Sequence, residues 1–244
     1  MAAYTGIDGC RGGWLLSTLD VDLKLYVQLY TSLESAIKIL QTSKVVSIDM
    51  PMGLVHENTE QRDCDVSLRK ELGSPFSSSV FNVPCHQAVY AHDYPKANRV
   101  NKEILGKGLS IQSWNIVPKI KELDKLLRKY PELKQNMFEG HPELCFKYLK
   151  GQSLNYKKKT QEGKEERLQL LERNFPHIKK LFESVRSQFL KKDVADDDIL
   201  DSIVLSINAK EIAKGNYVKF PTTEQRNKDS IVMQVVIGTM KSVF

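Results

Sequence analysis

Short apolar runs alternate with turn residues over positions 4–30: Y-T-G-I-D, W-L-L-S-T-L and L-K-L-Y-V-Q-L-Y, separated by C-R-G-G and D-V-D. This punctuation predicts three antiparallel strands in a meander. Ser32 is an N-cap candidate for S-L-E-S-A-I-K-I-L-Q, where Leu33, Ile37 and Leu40 share one face of a first helix of about ten residues. K-V-V-S-I-D-M follows, too short for an ordinary helix and rich in β-branched residues. It reads as a strand buried on both faces, ended by Pro51 and Gly53. Strand, strand, strand, helix, strand is an α/β order.

Beyond residue 55 the periodicity fades until about 115. A charged helix is predicted near Arg62 to Leu72, and the remainder reads as an irregular elaboration over a site, an insertion at 55–115 within a single domain spanning 1–244. I-V-P-K-I-K-E-L-D-K-L-L-R-K predicts a helix with Ile120, Leu123 and Leu127 inward, and N-M-F-E-G-H-P-E-L a fifth strand and its exit. Lys157 to Lys191 is basic and partly helical, carrying Leu168, Leu171, Ile178, Leu181 and Phe182. The last strong element is a helix from near Asp197, with Ile199, Leu200, Ile203, Ile207 and Ala209 packing inward.

With 244 residues and 41% hydrophobic content, the chain can bury a sizeable core. No apolar run is long enough to cross a bilayer, and M-A-A-Y-T-G-I-D has neither the charged start nor the cleavage site of a signal peptide. These features predict a soluble cytoplasmic protein with no membrane partner; the nucleus is the alternative compartment. Cys10, Cys64, Cys85 and Cys145 are scattered, without a C-x-x-C pair, as expected of reduced thiols. The net charge of +6 permits attraction to phosphate backbones without establishing it.

The chemistry is concentrated in acids at the ends of apolar segments: Asp8, Asp49, and Asp197, Asp198 and Asp201 in D-D-D-I-L-D. Two carboxylates about 4 Å apart repel by roughly 4 kcal/mol at an effective dielectric of about 20, so any fold that gathers them needs positive charge. A hard divalent cation is the simplest source. Asp198 and Asp201 share a helical face, as do Asp197 and Asp201. Ordinary readings compete: a turn at Asp8 and at Asp49, and helix capping at 197–201.

The motifs G-I-D-G-C-R-G-G-W, I-D-M-P-M-G-L, R-D-C-D, S-S-V-F, S-I-Q-S-W-N-I-V-P-K-I-K-E-L-D, F-E-G-H-P-E-L-C-F, K-K-K-T and D-D-D-I-L-D-S span nearly the whole chain. Together they resemble the ribonuclease-H-like superfamily and, within it, the predicted-nuclease family catalogued as domain of unknown function 429. The resemblance implies a mixed sheet, its first three strands antiparallel and its first and fourth adjacent, flanked by helices. It implies Asp8 as the central metal-bridging acid, Asp49 as the fourth-strand acid, and Asp198 with Asp201 as the D-x-x-D of the final helix, with Asp197 a rival to Asp198. Glu139 and Glu143 match a family motif as ligands or supporting groups. His141 between them is a candidate general acid or base through its near-neutral ordinary pKa, or a structural histidine. Lys119 and Lys159 would meet phosphate or balance the acids, although Lys157–Lys159 also reads as a solvated charge run.

The activity so implied is two-metal phosphodiester hydrolysis with Mg²⁺ or Mn²⁺ and nucleic acid as partner; homodimer formation is left open. Two alternatives stand beside it. An actin-like ATP phosphotransferase would use G-I-D-G-C-R-G-G-W as its first phosphate loop, though no second such loop follows and the glycines also suit a hairpin. A non-catalytic nucleic-acid-binding or scaffold protein would keep the fold without turnover. Phe76, Phe81, Tyr90 and Trp114 would stack on bases or build a small local core, the second being the simpler role.

Overall fold

The computed structural model describes residues 3–57 and 61–239. The chain begins with strands β1 (Ala3–Cys10), β2 (Gly13–Leu19) and β3 (Leu25–Tyr30), helix α1 (Ile37–Thr42) and strand β4 (Ser43–Ile48). Helices α2 (Asp63–Leu72), α3 (His86–Val89), α4 (Tyr94–Leu105) and α5 (Ile111–Lys129) follow. Next come β5 (Met137–Glu139), α6 (Pro142–Lys150), α7 (Gln161–Glu172), α8 (Ile178–Gln188) and α9 (Asp196–Ala213), then β6 (Tyr217–Phe220) and β7 (Val235–Gly238). No described helix is long and apolar enough to cross a membrane.

The strands form a seven-stranded mixed sheet in the order β3-β2-β1-β4-β5-β7-β6. The meander forms as the turn residues predict: β1 pairs antiparallel with β2, and β2 with β3. Cys10 pairs with Gly13, so C-R-G-G makes a two-residue hairpin, the role its glycines suggested. β4 runs parallel to β1 on one side and to β5 on the other, and five of its six residues are buried, as its unbroken apolar run requires. Ser32 accepts a hydrogen bond from the Ser35 amide at 3.1 Å, but the turn that follows is 3-10 before α1 begins at Ile37.

The chain divides into two compact units. The first contains residues up to Asp49, Gln135–Val218 and the chain from Val236 onward; the second contains Met50–Lys134 and Lys219–Val235. In the first unit, α9 packs on the sheet, and Val45, Ala209, Ile212 and Val236 form one core cluster. In the second, Cys85, Ala88, Ala97 and Leu109 form a core with Trp114 packed against it. Tyr90 donates to Asp124 at 2.7 Å, and Arg128 bridges Asp124 and Asp229. All four cysteines are buried, and no disulfide joins them.

Two sequence expectations are corrected. The weakly periodic region contains α4 and the first turns of α5. Asp93 caps α4 with a 2.8 Å bond from the Lys96 amide, Gly106 closes it in the left-handed conformation, and only Ala97 and Asn101 are buried, too sparse a stripe to be periodic. α5 starts at Ile111 behind its cap Ser110 and carries Pro118 inside it. The final helix is also not the last element, because β6 and β7 follow; β7 is four fully buried residues, too short to show a period.

α9 can lie directly against β1 because Gly6 has no side chain. A Cβ at Gly6 would meet Ser202 O and Ser206 N of the α9 backbone. Beside that approach, the Ser17 and Ser202 hydroxyls bond at 2.7 Å, and Asn208 spans to Ser47 Oγ and Val236 O at 2.9 Å each. Gly6→Ala is therefore expected to cost about 3 kcal/mol, a fall in Tm of roughly 6–12 °C for a chain of this length. Gly151→Ala, at φ +79° with nothing within 4 Å of the added methyl, should cost only about 1 kcal/mol. Thermal unfolding of both variants checks the contrast.

Candidate functional site

Parallel register brings three acids to the same end of three neighbouring strands. Ile7 of β1 lies opposite Ile48 of β4, which lies opposite Glu139 of β5. Asp8 and Asp49 are each one residue further, and the Asp49 amide donates to Ile7 O at 2.9 Å, continuing the ladder. Carboxyl ends of parallel strands are where open α/β sheets commonly place chemistry. Because β-strand side chains alternate faces, Asp8 points to the same side as Gly6, which is the side covered by α9.

The start of α9 supplies the remaining acids. Arg186 of α8 donates to Phe189 O at 2.8 Å and Val194 O at 2.6 Å, and Gly12 N donates to Asp193 O at 2.8 Å, fixing the segment before the helix. Asp196 then pairs with Lys164 at 2.9 Å and Arg186 at 3.3 Å, which takes it out of the cluster. Asp198 Oδ2 accepts from the Ala195 amide at 2.7 Å, so this acid is a cap with its other oxygen uncommitted to that bond. Asp201, 1% exposed, lies one turn further along. The α9 acids acting most strongly on Asp8 are Asp201 and Asp198, which favours Asp198 over Asp197 as the partner in D-x-x-D.

Asp8, Asp49, Asp198 and Asp201 each feel a neighbouring acid. The Asp8 carboxyl is pushed well above its ordinary range by burial, then by Asp201 and Asp49. Asp49 is pushed up to about 7, by burial first, with Asp201 and Glu139 adding to it and Lys158 opposing. Asp198 is pushed up to about 6 by burial, against the cap bond from Ala195. Asp201 is raised by burial, with Lys158 opposing.

The positive charge at this centre is Lys158. Its Nζ lies 2.7 Å from Asp201 Oδ2 and 3.5 Å from Asp197 Oδ2, and Asp201, then Asp8, hold its pKa well above the ordinary lysine value. The lysine expected from the sequence is Lys159, the neighbour that precedes the α7 cap Thr160; Lys159 is exposed and lines an open cleft of about 460 Å³ together with Lys158, Lys164, Asp197 and Asp198. Lys119 belongs to the second unit, on α5.

Glu143 and His141 have definite roles. Arg167, fully buried, donates from Nη2 to both Glu143 oxygens at 2.7 and 2.8 Å, so Glu143 is held in an ion pair. Arg167 Nη1 also donates to Gly163 O at 2.9 Å and Tyr156 O at 3.3 Å, on either side of Lys158. His141 precedes α6 and its carbonyl accepts from Leu144 and Cys145. Burial, then Lys158, push its pKa down to about 3, so the ring is neutral at physiological pH instead of poised near neutrality as its ordinary value suggested.

Lys158 and Arg167 were missed in the sequence. Arg167 had a usable signal: Gly163, Arg167, Leu170 and Leu171, all buried in α7, follow helical spacing, which puts the arginine on the inward stripe. Lys158 had none, because it sits in a non-helical loop where neither strand nor helix periodicity separates one lysine of three from the next.

An all-oxygen donor set suits a hard cation such as Mg²⁺ or Mn²⁺. The arrangement also contains an atom that asks for one: Asp201 Oδ1 is buried with no hydrogen-bond partner among the described residues.

Two predictions follow from these charges. Asp49 and Asp198 titrate near 7 and 6 in the folded chain against 3.8 ordinarily, so the folded state keeps protons that the unfolded chain releases. Their contribution to stability is full below about pH 4 and is lost as pH rises through 6 to 7. With chelator present, Tm should fall between about pH 5 and pH 8, and Asp49→Asn should flatten that fall. Arg167→Met leaves Glu143 buried without its partner and should cost roughly 3–5 kcal/mol in urea unfolding, a loss that Arg167→Met with Glu143→Leu should largely recover.

Comparison with known proteins agrees with the motif order. No curated protein and no solved structure matches the chain. A family described as a protein of unknown function, DUF429, matches residues 6–226, which takes in the end of β1 with Asp8, the acids of α9 and Lys158. The chain belongs to the DUF429 family.

Proposed function

We propose that the protein is a metal-dependent phosphodiesterase acting on nucleic acid, built on a ribonuclease-H-like sheet with the 55–115 region as its elaboration. The observation that carries this reading is the grouping of Asp8, Asp49, Asp198 and Asp201 at one centre that holds a buried, unpartnered carboxylate oxygen on Asp201. The antiparallel meander, the parallel β1–β4–β5 order and the helix lying across β1 support the superfamily likeness.

Asp8, Asp49, Asp198 and Asp201 would hold Mg²⁺ or Mn²⁺, which would supply neutralisation of phosphate charge and acidification of water. The chain's own residues do the rest. Asp8 and Asp201 are buried and Asp49 and Asp198 half-buried, and the strand ladder and the α9 cap hold them in place, so little reorganisation is needed at the moment of reaction. Lys159 and Lys164 line the adjoining cleft and favour a polyanion there, against the acids that would otherwise repel it. His141, neutral, offers a hydrogen-bonding ring and no charge.

Mn²⁺ at about 100 times its dissociation constant should stabilise the protein by roughly 2.7 kcal/mol, a rise in Tm of roughly 5–10 °C. Asp8→Asn should abolish that rise and lower Mn²⁺-dependent cleavage of single- and double-stranded DNA and RNA on the order of 100-fold or more. Nucleic-acid binding that is independent of metal and never followed by cleavage would overturn the proposal in favour of a binding protein.

A further inference from the structure

We propose, resting on the reading of the acid centre as a divalent-cation site, that Lys158 is the resident counter-ion of that centre and that metal binding must expel it. An ordinary structural ion pair joins one cation to one anion. Lys158 instead sits against Asp201 and Asp197 and within the field of Asp8, Asp49 and Asp198. One ammonium leaves the group short of positive charge, and Asp201 Oδ1 short of a donor. A divalent ion brings twice the charge and accepts both carboxylate oxygens as ligands. The ammonium and the metal therefore compete for Asp201, and each raises the cost of the other's presence.

Lys158 has the freedom to leave. About a third of its side chain, 34%, is already exposed, on the cleft shared with Lys159 and Lys164. Its loop is pinned on both sides by bonds that do not involve its own side chain. Glu166 accepts from the Asn155 and Tyr156 amides, and Lys157 O accepts from the Thr160 amide at 3.1 Å. Gly163 lies so close to Lys157 O that a Cβ there would strike it, which fixes the loop against α7. Displacement is thus a swing of the side chain between two positions, with no main-chain rearrangement.

The test is calorimetric Mn²⁺ titration of the unaltered protein, Lys158→Met, Lys159→Met and Asp8→Asn, at one pH and one ionic strength. Lys158→Met should bind Mn²⁺ at least roughly tenfold more tightly than the unaltered protein, because a charge within ion-pair distance of the same carboxylate has been removed. Lys159→Met makes the same change in net charge at an exposed position and should alter affinity by less than about threefold. Equal or weaker affinity in Lys158→Met overturns the proposal. If the unaltered protein binds Mn²⁺ and Asp8→Asn does not, that failure belongs to Lys158 alone; absence of binding in the unaltered protein and in Lys158→Met together overturns the cation site as well. Should Lys158→Met fail to fold, acetic anhydride labelling of the unaltered protein decides. Lys158 labelling should rise with Mn²⁺ while Lys159 labelling stays level, and an unchanged Lys158 over a Mn²⁺ range that raises Tm overturns the proposal.

Discussion

Loss of solvent around neighbouring carboxylates, with their mutual repulsion added to it, governs this site. Asp8, Asp49, Asp198 and Asp201 are gathered where the sheet meets the first turns of α9, and each carboxyl is raised by burial and by a neighbouring acid. Hydrophobic packing alone would drive them apart. The Lys158 ammonium lies between Asp201 and Asp197, and the carboxyls of Asp49 and Asp198 are pushed up to about 7 and about 6, which favours their neutral forms. Neither gives Asp201 Oδ1 a partner. Stability and the proposed cation site are therefore opposed here, as is common where a site is kept ready for a ligand.

The fold meets that cost through close approach. Gly6 lets the α9 backbone rest on β1, and Gly140, whose Cβ would strike Ser47 Oγ, lets the exit of β5 lie against α9 as well. The contacts made in this way are polar and specific. Asn208 donates to Ser47 and Val236 and accepts from Gly238 N at 2.6 Å, while Ser17 meets Ser202. Sliding α9 along the sheet would leave these buried groups unsatisfied, at roughly 1–3 kcal/mol each, whereas an apolar interface would tolerate it. The register that puts Asp201 against Asp8 is thus enforced by residues that take no part in the charge cluster.

Much of this was legible in the sequence, for identifiable reasons. The meander was readable from its turn residues, β4 from the length and β-branched make-up of its apolar run, the inward residues of α9 from their helical spacing, and the strand-end acids because Asp8 and Asp49 stand where apolar runs stop. α4 was hidden because its buried face is an alanine and an asparagine. β7 was hidden because four apolar residues have no period to read. Which acid of D-D-D faces Asp8 depends on where α9 starts, and that is set by Arg186 and Asp193, residues distant from the motif or outside it. Burial changed His141 most: its ordinary pKa made it a candidate proton carrier, and its surroundings keep it neutral.

The K-K-K run shows how neighbouring residues of one type divide the work. Lys157 contributes its carbonyl, which accepts from Thr160 and fits against Gly163; Lys158 turns its side chain inward to the acids; Lys159 stays exposed on the cleft. That division is imposed from beneath by Arg167, which grips Tyr156 O and Gly163 O on either side of the run while Glu143 neutralises its charge. A motif acid that resembles a ligand thus acts through an arginine to aim a lysine. Placing Glu143 among the ligands would use an acid that already has a buried cation of its own, and would take from fully buried Arg167 the carboxylate it is paired with. For the proposed cation site the acids that share Lys158 are the better ligands, because one ammonium serves them all.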